Sequence, residues 1–308
     1  MDNSTRDNTH AGEREVQQRL GVHERSAAAM RQVIRLAMPA QHVELFEKLP
    51  TLMVGSLDDK RRPWASVLAG PPGFARAPDD RHLRIAALPQ PGDPLALAPG
   101  QPLGLLGIEP HTRRRNRMNG SVVALDAQGF TVQVDQSFGN CPRYIQARTP
   151  RWVARGAPPP AVPEGGRLSA TAQQLVREAD TLFIATASPQ ARAHAGAEGV
   201  DVSHRGGRPG FVRVSEDSVG RSLLLIPDYP GNNFFNTLGN LAVNPRAGLL
   251  FISHESGGLL HLSGHTELLW GEAGGPREIR FTVEAGVWRP QVLPLAWSAP
   301  EFAPQFTA

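Results

Sequence analysis

Two short stretches of this chain, Gly104-Leu105-Leu106-Gly107-Ile108 and Gly248-Leu249-Leu250-Phe251-Ile252, nearly match each other at an offset of 144 positions. An internal repeat of this length constrains the fold strongly, because whatever the first unit forms the second must form too. The same offset of 144 carries Asn119-Gly120 onto Ser263-Gly264, and Arg62-Pro63 falls on Arg208-Pro209 at 146. Upstream, Thr51-Leu52-Met53-Val54 resembles Thr181-Leu182-Phe183-Ile184 at an offset of 130. On this alignment the second unit holds about sixteen extra residues between its first strand and its Arg-Pro landmark, and the insertion contains Val200 through Gly206.

Between the repeats, Gly156 to Gly166 reads GAPPPAVPEGG, a Pro/Gly linker. The expected organisation is a helical segment over residues 1–49, a first unit over 50–155, a linker over 156–168 and a second unit over 169–308. The first segment is helix-like from Arg14 to Leu49, broken at Pro39, and Ser169 is placed to cap a short helix running to Ala179. The second unit predicts strands near 182–187, 211–214, 223–226, 247–252, 259–269 and 279–283. One helix is expected from Phe234 to Val243, where Phe234, Leu238 and Leu241 share a face and Asn244-Pro245 stops it. Short strands with a single helix favour closure, which removes exposed sheet edges. The expected fold is mainly β with some α: two tandem Greek-key split β-barrels after N-terminal helices.

Composition narrows the setting. No apolar run approaches a membrane span, the N-terminus lacks a signal-peptide core, and the single cysteine, Cys141, excludes an intrachain disulfide, which together point to the cytoplasm. A surplus of three positive charges is too small to indicate nucleic-acid binding. His261 and His265, four apart on an expected strand, share a face with His254 nearby, but no third ligand or second shell accompanies them, so no metal is expected. Walker loops, dinucleotide-binding glycine motifs after a strand and nucleophile elbows are all absent.

Anion chemistry concentrates between Asp201 and Ile252. Ser203, His204 and Arg205 adjoin Gly206 and Gly207, so side-chain donors and a permissive backbone can surround an anion. Pro230, Gly231, Asn232 and Asn233 precede the expected helix, whose N-terminus would aim its amides at the same ligand. A solvated Arg205 and plain capping by the asparagines are the bland readings, and strand alternation can equally turn Arg208 and Arg213 to solvent. The run Arg113, Arg114, Arg115, Arg117 is the densest charge cluster and is expected on a loop, solvated or in contact with phosphate across the interface.

These residues resemble the pyridoxamine 5′-phosphate oxidase-like family of FMN-binding split barrels. The likeness rests on Gly207-Arg208-Pro209 leading into Phe211-Val212-Arg213-Val214, on Leu223 to Asp228, on Asn244-Pro245-Arg246, and on Gly248 to Ile252 followed by Ser263-Gly264-His265. It implies FMN held between two barrels, with the phosphate on Arg205, Arg208 or Arg213 and on Asn232, Asn233 and Asn236. It also implies that Pro227, Asp228 and Tyr229 lie along the ring, and that an internal pair of barrels imitates the family's homodimer. Trp64 in the first unit offers an indole for stacking, core packing being the alternative, and the likeness of the Cys141-Pro142 segment to one that follows a barrel in the family implies that Asn140 and Tyr144 lie near the flavin. The oxidase proper carries a C-terminal arginine-and-histidine substrate motif, which AWSAPEFAPQFTA lacks, so pyridoxamine phosphate is not the expected substrate. At the 144 offset Asn232 and Asn233 fall on Leu88 and Pro89, so the first unit is expected to act as a partner rather than as the main binder. The resemblance implies a flavin-dependent oxidoreductase of unassigned substrate, with NAD(P)H, a separate reductase and further dimerisation left open, or else a non-catalytic flavin carrier.

Overall fold

The computed structural model describes residues 8–193, 197–272 and 277–306. Three helices come first: α1 (Ala11–Arg19), α2 (His23–Val33) and α3 (Ala40–Lys48). Pro39 stands at the N-cap of α3, where its missing N–H costs nothing, so the expected break is the start of a new helix. The first sheet comprises β1 (Thr51–Leu57), β2 (Pro63–Ala69), β3 (Ala75–Asp79), β4 (His82–Ile85), β5 (Pro102–Glu109), β6 (Arg114–Asp126) and β7 (Gly129–Gly139). Its order is β2-β1-β5-β6-β7-β4-β3.

Next come the short strands β8 (Pro150–Trp152) and β9 (Val162–Glu164) and the helix α4 (Ala170–Glu178), capped by the Ser169 hydroxyl accepting from the Ala172 amide. They are followed by β10 (Thr181–Ala187), β11 (Val200–Gly206), β12 (Arg213–Glu216), β13 (Ser222–Asp228), α5 (Asn236–Val243), β14 (Arg246–Ile252), β15 (Leu259–Trp270), β16 (Arg277–Arg289) and β17 (Leu295–Trp297). The second sheet runs β11-β10-β14-β15-β16-β13-β12, with β9 added beside β16, while β17 pairs with β8. The order is that of the first sheet with β10 to β16 substituted for β1 to β7. All these pairings are antiparallel. Among the described residues no helix is long and apolar enough to cross a membrane.

Strand alternation sorts most of the apolar strand residues among the three largest cores. Leu52, Val54, Leu103 and Leu105 point into the first sheet's own core, and Leu182, Ile184, Leu249 and Phe251 into the second's. Their neighbours Met53, Leu106, Phe183, Ala185 and Leu250 turn the other way and meet in a core between the sheets, with Ala65, Val67 and Val202. Two glycines set how closely the sheets approach. A Cβ on Gly104 would lie 2.6 Å from the Val200 carbonyl oxygen, and one on Gly248 would lie 2.6 Å from Cα of Trp64 and closer still to the Pro63 carbonyl.

Register corrects the expected alignment. Pro63 pairs with Leu57 and Val200 with Ala187, so β2 and β11 occupy the same place and Val200–Gly206 is a strand of the common sheet, not an insertion. The halves differ in the number of residues that precede this strand, five between Leu57 and Pro63 against twelve between Ala187 and Val200. Arg62 belongs to the first of these loops, its N–H donating to Asp58, whereas Arg208-Pro209 follows β11, so this landmark was a coincidence of composition. The 144 offset survives: the ladder breaks between Asn119 and Gly120 in one sheet and between Ser263 and Gly264 in the other. The Pro/Gly linker is not featureless, since it carries β9, and α5 starts at Asn236 rather than Phe234. The helix α1 packs on α5, where Gly12 and Gly239 let the backbones approach closely.

Gly248→Ala should destabilise the chain by about 1–3 kcal/mol, because the added methyl meets rigid backbone of β2. Gly156→Ala, with no atom within 4 Å of its added Cβ, should be neutral. Urea denaturation of the two variants checks the difference.

Candidate functional site

An open cleft of about 850 Å³, mouth included, lies where β11, the end of β13 and the start of α5 face β6 and the segment after β7. Ser203, His204 and Arg205 enter from β11, Asp228 and Tyr229 from the end of β13, Asn232 and Asn233 from the loop, and Asn236 and Thr237 from the first turn of α5. The first sheet supplies Arg115 and Arg117 from β6, and Asn140, Cys141 and Tyr144 from beyond β7.

The approach to α5 is built from unusual backbone. Asn233, Phe235 and Tyr144 all adopt left-handed conformations, with φ of 62°, 61° and 67°, which bulky residues rarely do. Asn232 accepts from the Phe234 amide at 3.1 Å and so closes the turn rather than capping the helix. The first turn of α5 has no side-chain cap. Its positive end therefore faces the cleft unshielded by any side-chain acceptor.

The guanidinium groups differ in how they are balanced. Arg117 is 4% exposed and donates to Asp201 (2.9 Å) and Asn236 (3.0 Å), and its other terminal nitrogen donates to the Ser203 hydroxyl. Arg205 donates to Asp228 at 2.6 Å, and the second oxygen of Asp228 accepts from Arg277 at 3.0 Å. Arg115 has no carboxylate partner among the described residues; its Nη1 donates to Nδ1 of His204 at 3.1 Å. Burial, followed by the nearby Arg117 and Arg205 charges, brings its pKa down to about 10 despite the opposing pull of Cys141. His204 is held well below its ordinary value by burial and then by Arg115 and Arg205, so its ring is neutral and Nδ1 accepts. Buried Nε atoms of Arg115, Arg117 and Arg205 and Nδ2 of Asn140 have no hydrogen-bond partner among the described residues. Four orphaned donors around one cleft are costly unless a polyanion or water satisfies them.

Behind this layer Asp201 accepts from Arg117, Asn119 and Asn240. Glu13 of α1 reaches the same place, accepting from Asn236 at 2.5 Å, and burial together with Asp201 pushes its carboxyl up to about 8. At the mouth Tyr144 and Tyr229 stand with ring centroids 5.2 Å apart, and Phe306 lies 5.6 and 5.7 Å from them.

Ten of the residues singled out in the sequence thus come together: Ser203, His204, Arg205, Asp228, Tyr229, Asn232, Asn233, Asn236, Asn140 and Tyr144. Three do not. Arg208 leaves the cleft to bond the Phe306 carbonyl and cover Phe302, Arg213 is on an exposed strand face paired with Glu278, and Trp64 is buried at the sheet interface with its indole N–H on Asp58. Of the basic run only Arg113 lies on the expected loop. Arg114 opens β6, and strand alternation sends Arg115 and Arg117 to one face, into the cleft, while Arg114 bonds the Gln41 carbonyl. The Arg-x-Arg spacing was the signal for that pair; nothing in sequence pointed to Glu13 or Thr237. His261 and His265 keep to one face of β15, since Leu260, Leu262, Leu268 and Trp270 pack on the other, and His261 is buried while His265 is exposed. Among the described residues no group of three or more His, Cys, Asp or Glu could hold a metal.

No protein-family model and no curated protein matches the chain by sequence. Similar solved structures include HutZ, the heme storage protein from Vibrio cholerae, at 15% identity and a TM-score of 0.27 over 40% of this chain and 95% of that one. A second is a protein from Clostridium acetobutylicum related to general stress protein 26, of the pyridoxinephosphate oxidase family, at 13% identity and a TM-score of 0.27 over 42% of this chain and 91% of that one. An FAD-binding protein from Mesorhizobium loti matches at 14% identity and 0.27 over 42% and 97%. Likenesses this distant assign no ligand to the chain.

Glu13 binds its proton more tightly folded than unfolded, so its contribution to stability is lost as pH rises from about 4.5 towards about 8. Glu13→Gln, which stays neutral, should therefore gain stability relative to the parent on going from pH 5 to pH 8. Urea titrations at the two pH values measure this, and an unchanged difference would contradict it.

Proposed function

We propose that the cleft binds FMN and that the chain is a flavin-dependent oxidoreductase of the pyridoxamine 5′-phosphate oxidase-like family, built from two tandem split barrels that together stand in for the family's homodimer. The observation that carries this reading is the half-buried Arg115 guanidinium, which has no carboxylate partner among the described residues and lines the same cleft as the uncapped start of α5. A buried cation without a counter-charge is strongly destabilising, and a phosphate dianion at a helix start supplies that charge. Arg115, Arg117, Ser203, Thr237 and the first amides of α5 would hold the phosphate. Asn140 and Arg205 would supply further donors, and Tyr229 and Tyr144 would wall the ring. When bound, the flavin supplies the redox chemistry; the protein binds and orients it.

One observation favours a second reading, a non-catalytic flavin carrier. Asp228 is held between two arginines and His204 is a neutral acceptor, so neither the carboxylate nor the imidazole of the cleft is free to move a proton. Turnover of NAD(P)H with an added acceptor separates the two.

Protein purified with FMN should show flavin absorbance, and a colourless protein that ignores added FMN would sink the proposal. Arg115→Ala should weaken FMN binding by about 10-fold to 100-fold, the worth of one or two hydrogen bonds to a charged group. Arg213→Ala should leave it unchanged. Quenching of flavin fluorescence reads both.

A further inference from the structure

The cleft has a counterpart on the other side of the sheet interface. Ser203 pairs with Ile184 on β10 and Ser66 with Val54 on β1, and these two residues face Leu249 and Leu105, which are 144 apart. Ser66 therefore stands where Ser203 stands. Arg117 lies opposite Leu106 and His261 opposite Leu250, so His261 takes the place of Arg117. Asn116 pairs with Gly139 and Leu260 with Trp288, which puts Asn140 and Arg289 in equivalent places. Each serine hydroxyl meets the residue at matching distance along the chain: Thr237 donates to Ser203 at 3.0 Å, and Ser66 donates to Asp93 at 2.6 Å, with Asp93 and Thr237 again 144 apart.

A second cleft of about 1120 Å³, mouth included, opens here and is lined in part by Leu68, Gln90, Asp93 and Arg289. Its anion is the chain's own. The Asp93 carboxylate accepts from the Ser66 hydroxyl (2.6 Å), the Leu95 amide (2.9 Å) and Nη1 of Arg289 (2.6 Å). A hydroxyl, a backbone amide and a guanidinium form the donor set that a phosphate oxygen takes. Both side chains are out of solvent, 1% exposed for Arg289 and 2% for Asp93. Arg289 also donates to the Gln90 and Pro91 carbonyls at 3.3 Å and lies 3.5 Å from Nε2 of His261, whose Nδ1 is 2.9 Å from the Ala65 carbonyl oxygen. No helix follows here, since residues 86–101 are irregular where the second half forms α5.

We propose that this second cleft is a small-oxyanion site held shut by Asp93, which acts as an internal ligand in place of a phosphate. Asp93 thereby removes one phosphate site from the chain; where the open cleft takes FMN as proposed above, it keeps the number of phosphate-bearing ligands at one rather than two. The threonine at the matching position of the open cleft lacks the charge, and that cleft keeps a guanidinium without a carboxylate.

Asp93→Thr installs the residue that the open cleft carries. In equilibrium dialysis of the full chain with inorganic phosphate, the variant should bind one phosphate per chain more than the parent. The double variant Asp93→Thr, Arg289→Leu should lose that extra site. Phosphate should also raise the unfolding midpoint of Asp93→Thr more than that of the parent. Equal stoichiometry and equal stabilisation would overturn the proposal and leave an ordinary buried ion pair. Should Asp93→Thr be recovered only unfolded, refolding it from denaturant in phosphate and in chloride of equal ionic strength decides the matter: a higher yield in phosphate supports an emptied anion site, and equal yields, including none, overturn it. The gain is read against the parent, so failure of the open cleft to take FMN would end that reading without touching this one.

Discussion

Everything functional in this chain depends on how closely two sheets can approach. Gly104 and Gly248, at the same place in each sheet, let β5 lie on β11 and β14 lie on β2 with backbone against backbone. That contact buries Met53, Leu106, Phe183 and Leu250 in a core belonging to neither sheet alone. Burial of that much apolar surface fixes the relation of the sheets, and each cleft then forms at the margin of the shared core, with walls from both.

Equivalent scaffolds have been finished differently. On one side, residues from β11 and α5 surround Arg115 and Arg117 with too few acceptors, and several buried N–H groups lack partners. On the other, Asp93 answers Arg289 directly, leaving the Nε of that guanidinium without a partner among the described residues. A guanidinium withdrawn from water without a counter-charge is costly, and the two clefts meet that cost differently. The helix α1 adds an asymmetry of its own, since Glu13 backs Asn236 in the open cleft.

The fold was largely legible. The repeated stretches, the break at Pro39, the cap at Ser169 and most of the strands from Leu182 to Val283 follow from periodicity and turn chemistry, both of which are local. The misreading at Val200–Gly206 has a physical cause. Ser203, His204, Arg205 and Gly206 look like a polar loop, because a strand whose outer face lines a polar cleft does not alternate as a half-buried strand should. The same bias put Arg115 and Arg117 on a loop.

By itself the sequence determined the duplicated β architecture and a stretch rich in anion-binding groups, because patterning and residue chemistry are properties of the chain. Only the tertiary structure decided which arginines lack a counter-charge, that Arg208, Arg213 and Trp64 stand apart, and that Asp93 fills the matching place. Those facts depend on which side chains meet across the interface, and pairing between residues some 80 to 200 positions apart leaves no trace in local pattern.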